Sequence, residues 1–159
     1  MALAINTRKS GKIWFILALW LLTGTLDGIA AIAANWKLPA ATIFKFIASG
    51  VFGNAAFAGG TEMICYGVLF HYLIALAFTT FFFLLHPMYY SWFRTKFFTG
   101  LFYGALIWTV MNLLVVPLSH AHPKTPSVGN ALEAFAILVV CFGLPISYVA
   151  TNYYFYKSK

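Results

Sequence analysis

Residues 62–85 read EMICYGVLFHYLIALAFTTFFFLL, a run with one carboxylate at its start and one histidine, His71, near its middle. About 20 consecutive apolar residues suffice to cross a bilayer as a helix. Backbone in lipid must close its hydrogen bonds internally, and without the alternation of a barrel strand that leaves the helix. Three further stretches meet the same length criterion: Ile13 to Ala34, Phe97 to Leu118 and Ala131 to Asn152. The expected fold is all-α, a polytopic membrane protein built as a four-transmembrane-helix bundle, with residues 1–159 as a single membrane domain.

Composition points the same way. Hydrophobic residues make up 62% of the chain and charged residues 8%, against about 25% charged in soluble domains. That is too little polar surface to cover a soluble core, which excludes a soluble enzyme and a disordered tail. The net charge of +7 reflects scarce acids, ten Lys+Arg against three Asp+Glu. No basic helix or motif concentrates it, so the expected partner is the lipid bilayer and not nucleic acid. Cys65 and Cys141 fall inside apolar runs and read as small hydrophobes, not as a disulfide.

The ends of the spans carry membrane punctuation. Lys12 and Trp14 open the first, Asn35, Trp36 and Pro39 close it, His86-Pro87 ends the second, and Tyr153, Tyr154 and Tyr156 form a belt after the fourth. The first span can also be read as a secretory signal peptide, but apolar character resumes after Asp27 for long enough to complete a crossing. Arg8, Lys9, Lys12, Arg94, Lys96, Lys157 and Lys159 fall on one side, against Lys37, Lys45 and Lys124 on the other. The positive-inside rule then places both termini and the loop from His86 to Lys96 in the cytoplasm. Between the first two spans, Pro39 can start a helix over residues 40–52. Thr42, Lys45 and Ser49 fall on one stripe of it, and Ile43, Phe44, Ile47 and Val51 on the other. Such a helix lies in the interface or re-enters the bundle.

Ionisable side chains inside a span cost at least about 2.5 kcal/mol at the helix centre, so each calls for an explanation. At 1.5 Å per residue, Asp27 lies about 5 Å and His71 about 4 Å outside the midpoints of their spans, with Asn112 about 7 Å outside. Asp27 is flanked by Gly24 and Gly28, His71 follows Gly67 by four, and Asn112 follows the pair Gly100 and Gly104. These small-residue faces admit neighbouring helices, so all three polar groups point at helix contacts. Glu62 falls on the opposite face of the helix from His71. Three readings follow: a hydrogen-bonded lock between helices, an ion or proton pathway through Asp27, His71 and Asn112, or a metal site. The metal site would use His120 and His122 with Glu133 or Glu62. Glu133, about 13 Å from its span's midpoint, can reach headgroups. Gly143 and Pro145 should kink the fourth span as a hinge or a fixed bend.

Phosphate-loop, nucleophile-elbow, zincin and Cys-x-x-Cys signatures are missing, and His71 has no histidine at its level to share a haem. Neither an enzyme nor a cofactor is expected. The string from Phe44 to Gly53, with Ala56 to Gly60, His71, Asn112 to Pro117 and Gly143 to Pro145, resembles small bacterial inner-membrane proteins grouped as YagU-like. The resemblance implies a multi-span inner-membrane protein with a link to acid tolerance, and supplies no catalytic residues. The leading expectation is transport or permeation of an ion or small solute, in a homo-oligomer joined through glycine faces not used inside the bundle. The other is a scaffolding protein in which the same polar cluster fixes packing.

Overall fold

The computed structural model describes residues 2–121 and 127–157, with side chains for 13–121 and 127–153. His122 and Lys124 lie outside the described residues, as do the side chains of Tyr154 and Tyr156 and the basic side chains of both termini. Helix α1 covers Ala2–Ala34, α2 Ala40–Phe52, α3 the single turn Ala55–Ala58, and α4 Thr61–Phe93. Helix α5 runs over Lys96–Val110, winds as a π-helix through Met111–Val115 and finishes with Val116–Leu118. Helix α6 joins Val128–Ile137, a π-helical Leu138–Gly143 and Leu144–Lys157. No strand occurs among the described residues, and α1, α4, α5 and α6 are each long and apolar enough to cross a membrane. The chain is a multi-pass membrane protein with an all-α, four-helix bundle fold.

Local chemistry sets the connections. Asn35 closes α1 through its side-chain amide on the Ala31 carbonyl at 2.9 Å, and Pro39 then opens α2. Gly53 ends α2 at φ +58°, its N–H on the Ser49 carbonyl, a left-handed position that glycine takes without penalty. The four spans form a ring in the order α1, α4, α5, α6, and α2 packs along α4 as a side wall. Phe52 meets the rings of Tyr66 and Phe70 on α4, and Phe44 meets His71. Leu19, Phe82, Tyr103, Phe142 and Ile146 fill the half of the bundle nearer the termini. Large apolar side chains such as Leu84, Leu113 and Leu132 point outward, a surface suited to lipid.

The backbones touch at glycines. A Cβ on Gly67 would collide with the Phe44 carbonyl of α2, and one on Gly143 with the Gly100 carbonyl. One on Gly104 would stand 2.6 Å from Val139 Cα. Gly24 and Gly28 face α4, so these glycine faces are occupied within the bundle.

Two boundaries differ from the sequence reading. The second span continues through His86-Pro87 to Phe93, and the loop expected from His86 to Lys96 shrinks to Arg94 and Thr95. Tyr89, 2% exposed, packs on Phe102 and Tyr103, and Phe93 packs on Phe102. These aromatic contacts hold the helix past a proline that would end it in water. At Pro145 the fourth span winds as a π-helix, with Leu144 N–H donating to Val139 O, five residues back. Val116 N–H reaches Met111 O in the same way before Pro117. A proline ring clashes with the carbonyl four residues back, and the wider turn relieves that crowding. Gly143 is wedged against Gly100, so this bend is a packed one.

Gly67→Ala and Gly143→Ala should each lower stability by about 1–3 kcal/mol through overpacking. Gly129→Ala, whose Cβ would have only Ser127 Oγ at 3.9 Å, should be neutral. Thermal unfolding in detergent reads the difference, and equal midpoints for all three would contradict the close crossings.

Candidate functional site

His71 lies ten residues into α4, and its ring is seated on the backbone of α1. Its Nε2 stands 2.8 Å from the Gly24 carbonyl; a carbonyl only accepts, so Nε2 carries the hydrogen. A Cβ on Gly28 would stand 3.2 Å from that nitrogen, so the glycine pair is the seat that lets the ring approach. The next residue strengthens the junction: Trp20 Nε1 donates to the Tyr72 carbonyl at 2.7 Å, and Tyr72 Oη shares a hydrogen bond with Thr25 Oγ1 at 2.9 Å.

Asp27, one residue before Gly28, sits half-buried on the wall of a cavity of about 420 Å³ that all four spans and α2 enclose. His71 and Asn112 line the same cavity, so the three polar residues placed at a common depth meet one space. They do not form one network. Asn112 Nδ2 donates to the Trp108 carbonyl of its own helix at 2.9 Å, at the turn where α5 changes to π-helical register. No hydrogen bond among the described residues joins Asp27 to His71, although both line the same cavity.

The sequence reading left Glu133 at the headgroups and in a weak metal set. It lines this cavity, exposed at the rim beside Asn130, with Asn35 completing the polar edge. Two of the chain's three acids therefore face one space. Among the described residues no lysine or arginine lines it. Lys45 turns away to the Gly59 carbonyl at 2.6 Å, and Glu62 accepts from Gly60 N–H at 2.6 Å. The remaining wall is apolar, with Ile43, Phe44 and Ile47 from α2 facing Phe78, Ile107 and Phe142. Both π-helical segments contribute to it, Met111 and Asn112 from one and Leu138 and Phe142 from the other.

A second polar group was also missed. His86, expected at the boundary, is 4% exposed inside the bundle, its Nε2 2.9 Å from Thr151 Oγ1. Thr79, on the face of α4 that carries His71, buries a hydroxyl without a partner. Of the metal set, His122 lies outside the described residues, and among those described no three His, Cys, Asp or Glu side chains gather to hold an ion. His120 is exposed and tied by its backbone N–H to the Gly50 carbonyl at 2.9 Å.

Compared with family models, with curated proteins and with solved structures, the chain matches none.

This geometry separates the two ionisable residues energetically. His71→Ala removes the bond to Gly24 and empties the seat, and should cost about 1–3 kcal/mol. Asp27→Asn removes a charge that no hydrogen bond or ion pair among the described residues satisfies, and should leave stability unchanged or slightly raised. Unfolding midpoints in detergent read both, and a loss in Asp27→Asn as large as in His71→Ala would mean that the carboxylate is paired after all.

Proposed function

We propose that this protein carries or conducts a cation across a bacterial inner membrane, using the cavity lined by Asp27, His71 and Glu133 as its binding compartment. The observation that carries this reading is the charge of that compartment: two of the three acids of the chain line it, and among the described residues no lysine or arginine does. Intramembrane carboxylates are costly to insert and are most often found facing substrate or ion pathways. A cation entering the cavity offsets that cost, whereas an anion adds to it.

With both termini cytoplasmic, the cavity lies in the outer half of the bundle, and α2 forms its outer side wall. Phe82, Tyr103 and Ile107, each at most 2% exposed, close the bundle on the inner side. Passage therefore requires that this plug part. Thr79 and the His86–Thr151 pair supply polar groups along the inner half that a cation would meet on the way. The bond from His71 to Gly24 supports the alternative reading, a scaffolding protein in which the cluster only fixes packing.

Reconstituted flux separates them. Vesicles holding wild-type protein are expected to release Na⁺, K⁺, methylammonium or ethidium faster than protein-free vesicles. Asp27→Asn, with its fold intact, should reduce that release by about tenfold, as loss of one charged contact would. Wild-type release equal to protein-free vesicles for every cation tested would leave only the scaffolding reading.

A further inference from the structure

The shape and chemistry of the cavity narrow the class of cation. A bare metal cation needs about six or more oxygen ligands at 2.0–2.6 Å, gathered around one point. Here the oxygens are dispersed. Asp27 and Asn35 are eight residues apart on α1, about 12 Å along the axis, and Glu133 and Asn130 belong to α6 across the space. No three His, Cys, Asp or Glu groups among the described residues converge. Around these dispersed groups the wall is Ile43, Phe44, Ile47, Phe78 and Ile107, which an ion with its water shell cannot satisfy. At about 420 Å³ the space falls in the range of small-molecule sites, about 300–1,000 Å³, which are mostly apolar with a few placed polar groups.

We infer that the cavity binds an amphiphilic organic cation, a protonated amine or quaternary onium with an apolar or aromatic body, its charge held by Asp27. The inference rests on the permeation reading for its biological use, but binding itself requires no flux. The carboxylate is available because His71 is spent on Gly24, and the bulky wall residues supply area that the body of the ligand buries. Phenyl rings at the wall add favourable contact with a cation. Glu133 at the rim, with no described lysine or arginine in the cavity lining, draws the same charge inward from outside.

Equilibrium binding to the full-length protein in lipid nanodiscs tests this, with tetraphenylphosphonium as the probe and empty nanodiscs as the partition control. Saturable binding near one per chain is expected, about a hundredfold tighter than that of tetramethylammonium, which lacks the apolar body. Asp27→Asn should weaken it by about tenfold, and triphenylphosphine oxide, a neutral body of similar shape, should bind more weakly by a similar factor. Ile47→Trp, which fills the wall without touching a charge, should weaken tetraphenylphosphonium more than tetramethylammonium. Should Asp27→Asn fail to fold, Glu133→Gln at the exposed rim takes its place, with a smaller loss of affinity expected. The inference is overturned by uptake equal to that of empty nanodiscs, by equal affinity for the neutral analogue, or by equal competition from Na⁺. Na⁺ or K⁺ flux in vesicles without tetraphenylphosphonium binding would remove this inference and leave the permeation reading in place. Tight binding without any flux would do the reverse.

Discussion

The bundle depends on backbone-to-backbone approach at a few glycines. Lipid tails are as apolar as leucine, so no hydrophobic force draws the spans together, and dispersion at close range must do it. At Gly100, Gly104 and Gly143 the α5 and α6 backbones come so near that a methyl group would have no room, and at Gly67 the α2 backbone lies on α4 in the same way. Gly24 and Gly28 admit an imidazole to α1. Along these lines the helices are pinned. Above them the facing residues are Ile107, Met111 and Leu138 instead of glycine, and there the helices part around the cavity. The open space and the tight crossings follow from where one chain places its small residues.

Register change is the second device. Each π-helical segment ends two residues before a proline, Val115 before Pro117 and Gly143 before Pro145. The wide turn advances the side chains beyond it relative to a regular helix, and both turns lie on the cavity wall. Asn112 caps the Trp108 carbonyl at the start of one of them. Its part in the site is to hold that turn, so the polar space exists partly because two helices are wound differently there. π-helical turns in membrane and soluble helices are often found at functional positions.

Span number and type were legible because length and apolarity are dictated by the bilayer itself. The meeting of Asp27 with His71 at one cavity was legible too, since straight-helix rise fixes depth to within a turn and Gly24 and Gly28 mark the face. Glu133 was not. Counting residues from a span's midpoint ignores the extra residue of a π turn, and one lies between Glu133 and the far half of α6. The continuation of α4 past Pro87 was hidden as well, because it rests on Tyr89 and Phe93 meeting Phe102 of the next helix. The burial of His86 was hidden for the same reason, since it depends on that continuation and on a partner, Thr151, 65 positions away. One signal in the sequence pointed to Glu133, namely that a chain with three acids can spare few of them.

A lock and a pathway make different use of the same residues. In a lock, an acid and an imidazole at equal depth would be spent on each other, since each removes the other's desolvation cost. Here the imidazole hydrogen goes to a backbone carbonyl that already belongs to a helix, and the carboxylate faces open space. The junction of α1 with α4 is held without Asp27, by Trp20, Thr25 and Tyr72 as well as His71. A charge that contributes nothing to packing still carries its insertion cost of at least about 2.5 kcal/mol. On the permeation reading that cost is offset when a cation occupies the cavity, and the empty state is high enough in energy to favour loading. On the scaffolding reading it is offset by nothing in the bundle, which is why the carboxylate and not the histidine is the residue on which the two readings divide.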